Sequence, residues 1–376
     1  MPFSDFHGNP DVVRRLREML GRDRFPHAVI LTGAKGSGKY TLAQMVAKAM
    51  NCLDRPDPNS MFATPVDTLP DFCGVCSNCV RIAQADRLED RFAEAVEARD
   101  GLRETDKKET RILVQTFPDV LVIPPDPPQM MIKVDQVRHV THGMYYRPSE
   151  GRQKVYIFTD GVFMKEAANA LLKVLEEPPE FATIFLLVEN ATSLLPTTRS
   201  RCITLQLAPL TSEEVEHDLA HRTEWTAVQR KLVAKLSGGA LGRARGFNLP
   251  KYIAARTDAL TLLKTAIPTS RSGEVDHGAL FKTTEGYRAG GEGKEKTDVL
   301  IAVIYSLLED MIFLKSKTPD LVRNVDIQAD LASFAAAVDF GWIQMATDRL
   351  GEVQAGMRRN LLRSLSLDAF AVALER

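Results

Sequence analysis

The sequence contains no apolar run that approaches the roughly 20 residues needed to cross a bilayer. Residues 1–15 also lack the basic segment and following apolar stretch of a secretory signal. Nor is there an excess of positive charge, because 48 Lys and Arg residues are balanced by 49 Asp and Glu residues. A chain with this balance has no overall field that would attract a phosphate backbone. These absences predict a cytoplasmic protein with no membrane partner, whose contacts with nucleic acid are local or shared with other proteins.

Cysteine is scarce, but four of the five cysteines are grouped. Cys73, Cys76 and Cys79 form a Cys-X-X-Cys-X-X-Cys pattern, and Cys52 lies upstream. In a reducing compartment this spacing favours metal binding over disulfides. Four thiolates complete a tetrahedral Zn²⁺ site and leave no position for a substrate. We therefore expect a structural zinc module at about residues 52–80, with an iron–sulfur cluster and unligated core cysteines as the alternatives.

Through the N-terminal half, apolar β-type segments alternate with helical patterns, which is typical of a parallel sheet covered by helices. The predicted strands are 28–32, 120–123, 154–159, 183–188 and 203–207. The predicted helices are 10–20, 39–50, 134–145 and 165–175. The last helix is stopped by two consecutive prolines, which cannot continue it. A mixed-charge stretch, 81–108, is predicted to form a solvated helix, and a proline-rich turn is predicted at 124–128.

Beyond residue 210 the strand signals disappear. Thr211 is placed to cap a short helix, and a second helix is predicted over 225–237, before a glycine-rich turn. Residues 270–296 are polar and glycine-rich and predict a loop or linker. Amphipathic helices are predicted over 297–315 and 331–375. The sequence thus predicts an α/β domain over 1–208 with a charged insertion at about 81–112, a helical lid over 209–250 and an all-α domain over 251–376.

A glycine-rich segment joins the first predicted strand to the helix at 39–50. Gly33, Gly36 and Gly38 belong to the run Gly-Ala-Lys-Gly-Ser-Gly-Lys, which ends at Lys39. The glycines let backbone N–H groups turn toward phosphates, the helix N-terminus adds positive potential, and the lysine adds a mobile charge. This pattern in this context predicts a P-loop, and hence ATP binding or descent from a nucleotide-binding site.

The residue after the P-loop lysine argues against magnesium. That position normally carries a Ser or Thr hydroxyl that ligates Mg²⁺, but here it is Tyr40. Thr41 points about 100° away around the helix and is a poor substitute. We therefore expect Mg²⁺ binding to be impaired. Two interpretations stay open: a site that still holds nucleotide, and a P-loop kept as a rigid connector that holds none.

A P-loop ATPase also needs two carboxylates at the end of a neighbouring strand, one for Mg²⁺ and one to activate water. The strand at 154–159 is followed by Asp160, and Thr159 stands beside it, so one carboxylate is present. A lone Asp at a strand end commonly serves as a turn or cap residue. Together with Tyr40, this predicts that the chain does not hydrolyse ATP by itself.

Two longer blocks resemble the bacterial clamp-loader family of AAA+ proteins. They are Asn-Ala-Leu-Leu-Lys-Val-Leu-Glu-Glu-Pro-Pro at 169–179 and Leu-Pro-Thr-Thr-Arg-Ser-Arg-Cys at 195–202, and residues 3–50, 117–119 and 132–138 add to the match. The resemblance implies a P-loop NTPase-like domain, a lid and a helical collar domain. In that family the γ/τ motor subunit has Thr or Ser after the P-loop lysine and an Asp-Glu pair. The δ′ subunit departs from both, as this chain does.

The resemblance also implies roles for two arginines. The arginine of the family's Ser-Arg-Cys motif reaches the ATP of the neighbouring subunit and corresponds to Arg201, for which a surface salt bridge is the alternative. The lid's nucleotide sensor corresponds to Arg243, which would be structural if the P-loop is empty. One residue fewer than in the family pattern lies between residues 154 and 169. The registration of Thr159 and Asp160 with the acidic pair is therefore open by one residue.

The resemblance thus predicts a non-motor δ′ subunit of the DNA polymerase III clamp loader, with γ/τ and δ subunits, the sliding clamp and primed DNA as partners. Such a chain would be a component of the DNA polymerase holoenzyme, which is a nucleotidyltransferase, without carrying that activity itself. The alternatives are a γ/τ-type motor and an AAA+ regulator outside replication. The stoichiometry of the complex, the nucleotide occupancy and the role of residues 81–108 stay open. The gap before Cys73 is longer than the family's, which makes Cys52 the least secure zinc ligand.

Overall fold

The computed structural model describes residues 2–22, 25–54, 69–267, 277–288, 290–358 and 362–374. The chain divides into two compact units. Met1–Leu210 with Ala240–Gly242 form the first, and Thr211–Gly239 with Arg243–Arg376 form the second. Within the described ranges, no helix is both long and apolar enough to cross a membrane. The predicted boundary between a lid and a collar domain at residue 250 stays a prediction.

The first unit is built on a sheet with six strands among its described residues. These are β1 (Ala28–Thr32), β2 (Val114–Phe117), β3 (Val120–Ile123), β4 (Lys154–Phe158), β5 (Ala182–Val188) and β6 (Ile203–Gln206). Their order across the sheet is β2-β3-β4-β5-β1-β6, and every neighbouring pair is parallel except β2 with β3. The five predicted strands are confirmed to within one residue at each end. The antiparallel edge strand β2 was not predicted.

Helices cover both faces of this sheet. The helices up to residue 210 are α1 (Pro10–Leu20), α2 (Lys39–Asn51), α3 (Ser77–Ala83), α4 (Leu88–Asp100), α5 (Glu104–Glu109), α6 (Val134–Met144), α7 (Lys165–Glu176) and α8 (Pro196–Arg199). Val29 and Leu31 of β1 pack in one hydrophobic cluster with α1, α2 and α3, whereas Ala28 and Ile30 pack in another with α6 and α7. Successive strand residues point to opposite faces, so this alternation fixes which helices share a face.

The charged stretch at 81–108 was predicted to form one helix, but the structure divides it. It contains the end of α3, then α4 and α5. The chain leaves the helical path after α3, where Ala85 and Asp86 serve as partners of α2. Helix α4 is solvated as predicted, since none of its 13 residues is buried. One end of α4 is nonetheless fixed, because Nη1 of Arg99 donates to the fully buried Asp126 at 2.8 Å.

The second unit contains helices and no strand among its described residues. Its helices are α9 (Ser212–Asp218), α10 (Ala227–Leu236), the end of α11 (Leu241–Arg245), α12 (Leu249–Ala266), α13 (His277–Glu285), α14 (Gly290–Lys315), α15 (Gln328–Ala337), α16 (Phe340–Arg358) and α17 (Arg363–Ala373). The predicted cap is confirmed: Oγ1 of Thr211 accepts the N–H of Glu214 at 3.1 Å, and the Glu214 carboxylate accepts the N–H of Thr211. This reciprocal pair satisfies two N–H groups at the start of α9.

The prediction of a loop over 270–296 is wrong for its described part. Helix α13 and the beginning of α14 lie there. Leu280 is fully buried and Tyr287 is 5% exposed, both within the core of the second unit. Packing in the core therefore stabilises helices in a segment whose glycine-rich composition predicts a loop. Residues 270–276 and 289 of the predicted loop lie outside the described residues.

Candidate metal centre and nucleotide site

The four grouped cysteines converge at the C-terminal end of α2. Cys52 follows the last residue of α2, Cys73 and Cys76 lie in the loop before α3, and Cys79 lies within α3. Their four sulfur atoms all lie within 4.8 Å of one another, and the Cys52 and Cys73 sulfurs are 3.5 Å apart. Zn–S bonds of about 2.3 Å in a tetrahedron would separate sulfurs by about 3.8 Å. The donor set and its spacing fit a closed zinc site in which Cys52 takes part.

Backbone N–H groups around the cluster favour sulfur in its thiolate form. The Cys73 N–H points to the Cys52 sulfur at 3.3 Å, and the Cys76 N–H points to the Cys73 sulfur at 3.3 Å. Burial alone would raise the pKa of Cys76, but N–H groups of Cys79 and Leu53 outweigh it and lower that pKa to about 6. Burial has the opposite effect on Cys52 and Cys79, whose thiol pKa values it raises, so a cation that binds thiolates would have to favour deprotonation of these two sulfurs itself.

The segment that follows α3 is hydrogen-bonded to one face of α2. Oη of Tyr40 donates to the carbonyl of Ala85 at 2.6 Å, and Nε2 of Gln44 donates to the same Tyr40 oxygen at 2.7 Å. One turn further on, Nζ of Lys48 binds the carboxylate of Asp86 at 2.6 Å. Residues four apart share a helix face, so Tyr40 and Lys48 hold the segment that follows α3, and Gln44 between them holds the Tyr40 hydroxyl.

The P-loop has the backbone conformation that its glycines allow. Gly36 and Gly38 have φ angles of 83° and 91°, a region that disfavours residues with a Cβ. At Gly38 there is also no room for a side chain, because a Cβ would lie 2.9 Å from the ring of Phe6. Gly33 at the end of β1 also has a positive φ angle. The predicted strand, glycine loop and helix are therefore all in place.

Local groups occupy the polar atoms of this loop. Nζ of Lys39 donates to the carbonyl oxygens of Gly33 and Ala34 at 2.6 and 2.8 Å. The N–H of Gly242 donates to the carbonyl oxygen of Gly36 at 2.8 Å. A Cβ on Gly242 would lie 2.9 Å from that oxygen. In this conformation the lysine is folded back on its own loop, and an ATP phosphate would have to draw it away.

Tyr40 does not point toward the phosphate side of the loop. Its ring packs partly buried against the core of the first unit, and its hydroxyl faces Ala85. Burial raises the pKa of this phenol well above its ordinary value, so the group stays a neutral hydrogen-bonding hydroxyl. The following residue, Thr41, is exposed. The loop is not displaced, because the ring turns to the other side of α2.

Two carboxylates influence Lys39, of which the sequence indicated one. Asp160 follows β4, and its Oδ1 accepts the N–H of Val162 at 3.0 Å, as expected for a turn residue. Burial lowers the pKa of Lys39, while the charges of Glu189 and Asp160 oppose that effect. Glu189 was missed. It directly follows the buried strand β5, which lies between β1 and β4, and its position after an apolar run could have revealed it.

Arg201 lies just beyond α8 and is held by two acceptors. Its Nη2 donates to Oε1 of Glu176 at 2.8 Å, and its Nη1 donates to the carbonyl oxygen of Thr197 at 2.9 Å. The neighbouring Cys202 packs against the core, and burial raises the pKa of its thiol to about 12, as expected for an inert small hydrophobe. Arg243 belongs to the second unit and is exposed.

A parallel sheet whose first strand runs through a glycine loop into a helix defines the first unit as a P-loop NTPase-like domain. A family model described as DNA polymerase III, delta subunit, matches residues 8–211. The chain belongs to this family, within the bacterial clamp-loader AAA+ proteins.

Curated relatives agree with this family. The chain is 28% identical to DNA polymerase III subunit tau of Escherichia coli (strain K12), over 93% of this chain and 42% of that protein. It is 31% identical to subunit tau of Salmonella typhimurium, over 73% of this chain and 34% of that protein. It is 29% identical to subunit delta' of Bacillus subtilis (strain 168), over 56% of this chain and 50% of that protein. The chain thus spans half or less of each of these relatives.

Proposed function

We propose that this chain is a δ′-type, non-motor subunit of the DNA polymerase III clamp loader. In this role it joins γ/τ and δ subunits and helps to load the sliding clamp on primed DNA. The Bacillus subtilis relative named delta' is consistent with that subunit type. The observation that carries the proposal is the hydrogen bond from Tyr40 to Ala85, because it commits the side chain after the P-loop lysine to the segment that follows α3 rather than to Mg²⁺.

The carboxylates support the same conclusion. Asp160 is engaged with the turn that follows β4, and Thr159 beside it supplies no charge. ATP hydrolysis needs both a metal and an activated water, so a site without the Mg²⁺ hydroxyl and without the acidic pair has lost two requirements at once. In this proposal the P-loop is a connector between β1 and α2 that holds ATP weakly or not at all.

The catalytic contribution of the chain is made in trans by Arg201. A guanidinium has five N–H donors, and two of those of Arg201 are engaged with Glu176 and Thr197. The remaining donors form a planar fork that suits phosphate oxygens and stabilises charge that develops in the transition state. Because the arginine lies at the surface, with 34% of its side chain exposed, it is accessible to the ATP of a neighbouring subunit.

Zinc has a structural role in this proposal. Cys52, Cys73, Cys76 and Cys79 would hold it, and four sulfurs leave no position for a reacting molecule. The ion would fix α3 against the end of α2, and through Ala85 and Asp86 it would hold the face of α2 described above.

A second candidate is a γ/τ-type motor. Several relatives are named tau or gamma, and Glu189 is a second carboxylate whose charge acts on Lys39. Tyr40 speaks against this candidate, since it replaces the hydroxyl expected after Lys39, and Thr41, the next residue, lies on another face of α2.

ATP turnover by the purified chain separates the two candidates. We expect no turnover by the wild-type chain and none by Lys39→Ala, the matched variant that lacks the P-loop charge. Weak ATP binding without turnover fits the non-motor role. Hydrolysis by the wild-type chain that disappears in Lys39→Ala would overturn the proposal in favour of the motor.

A further inference from the structure

The partner of Arg201 is fixed more firmly than Arg201 itself. Glu176 is the last residue of α7, which is anchored in the core by Leu171, Val174 and Leu175, each at most 2% exposed. Two prolines at 178 and 179 end the helix at this point. Arg201, by contrast, follows α8, a helix of four residues. The carboxylate therefore stands on a rigid element, and the guanidinium stands on a short one.

Two acceptors restrict the guanidinium from different sides. The Thr197 carbonyl lies one helical turn earlier on the same short helix, and the Glu176 carboxylate approaches from α7. A long arginine side chain loses considerable rotamer freedom when it is held in one geometry. Prior contact with a carboxylate and a carbonyl removes part of that freedom before any ATP arrives. A catalytic group that is already ordered loses less conformational entropy when the reaction occurs, so more of its interaction energy stabilises the transition state.

We propose that Glu176 is the positioning residue for Arg201: its carboxylate holds the guanidinium so that its unengaged donors face the ATP of the neighbouring subunit. This inference rests on the trans-acting role proposed above for Arg201. Glu176 touches neither ATP nor the reacting atoms, and it acts only through the arginine.

The chain offers a matched control at the next position. Glu177 is also an exposed carboxylate at the end of α7, but Arg201 donates to Glu176. Substitution of either residue removes one negative charge from the same place on the surface. A difference between Glu176→Ala and Glu177→Ala therefore reports the contact with Arg201 rather than the change in net charge.

The test is steady-state ATP hydrolysis by the complex assembled from full-length chains, with primed DNA and clamp present. For Glu176→Ala we expect kcat to fall by about threefold, the scale of the loss of a partly exposed ion pair, with the KM for ATP unchanged because the neighbour binds the nucleotide. Glu176→Gln keeps an acceptor oxygen and should recover part of the rate. Glu177→Ala should match the wild type. The melting temperature of each variant shows that folding is intact.

A double-variant cycle shows whether Glu176 acts through Arg201. In the Arg201→Ala background, Glu176→Ala should cause no further loss. If Arg201→Ala is slow while Glu176→Ala matches the wild type, the positioning role is wrong and the trans-acting role stands. If Glu176→Ala slows the Arg201→Ala complex further, Glu176 acts by another route and the inference also fails. If Arg201→Ala itself matches the wild type, the trans-acting role fails first, and the positioning role with it.

Discussion

Each end of α2 carries a candidate metal site, and only one of the two has all the ligands that its metal needs. At its N-terminal end the P-loop has its glycines and lysine, but the residue that should ligate Mg²⁺ is Tyr40. At its C-terminal end Cys52 begins a cluster that has all four sulfurs of a tetrahedral site. The two ends are connected through Tyr40. This residue stands where the Mg²⁺ ligand is expected, and its hydroxyl donates instead to Ala85 in the segment that follows α3.

Loss of a cysteine ligand should have the largest effect, since it removes the complete site. Wild-type protein purified without chelator should contain about one zinc per chain, and Cys79→Ser should contain less than half of that, because the remaining sulfurs leave the coordination shell open. Cys202→Ser is the matched control, because Cys202 lies outside the cluster, and it should keep its zinc. Metal analysis decides this. Wild-type protein with less than half an equivalent of zinc would contradict the prediction, and iron in its place would favour the cluster alternative.

Tyr40→Phe should have the next largest effect, on stability. The substitution leaves the Ala85 carbonyl and the Gln44 amide without their partner in a partly buried place, which costs about 1–3 kcal/mol in the free energy of unfolding. Tyr145→Phe is the control, since Tyr145 is 54% exposed. Chemical denaturation measures both variants. Equal stability of the two would mean that the Tyr40 hydroxyl does not hold the segment that follows α3.

Lys48→Met should have a smaller effect. The lysine is 8% exposed and its partner Asp86 is 46% exposed at the side chain, so solvent screens the pair and we expect a loss of only about 1 kcal/mol. Methionine keeps the apolar stem of the side chain. The loss should shrink in high salt, because screening already weakens a half-exposed pair. An unfolding free energy that is equally low at low and high salt would assign the loss to packing instead.

Tyr40→Thr should have the smallest effect of all. We expect this variant, like the wild-type chain, to show no ATP turnover. It restores the hydroxyl expected after a P-loop lysine, but β4 is still followed by a single carboxylate, Asp160, with Thr159 beside it. Turnover by the purified variant tests this, with Tyr40→Val as a control of similar shape that lacks the hydroxyl. Hydrolysis by the threonine variant alone would show that Tyr40 is the single defect and that Glu189 supplies the second carboxylate.

The parts of this molecule that were predictable from sequence are those encoded by neighbouring residues. The strands, the P-loop, the cap at Thr211 and the cysteine pattern all depend on local spacing. The bond from Tyr40 to Ala85 and the influence of Glu189 on Lys39 depend on where distant segments meet. Strand β2 was missed because its two central residues are polar, unlike the fully apolar β3 of the same length, and because it follows a charged stretch. Helix α13 was missed because tertiary burial of Leu280 outweighs a polar, glycine-rich composition.

The short segment Ala240–Gly242 has a consequence for how the chain can be divided. The polypeptide passes from the first unit to the second after Leu210, returns for these three residues, and leaves again at Arg243. Three covalent crossings thus join the two units. A protease cut within residues 211–239 would place residues 240–242, which belong to the first unit, on the same fragment as Arg243–Arg376 of the second. A fragment that ends at Leu210 would lack the backbone N–H that meets the Gly36 carbonyl. The strand signals of the sequence end near Leu210, but the first unit is complete only with residues 240–242.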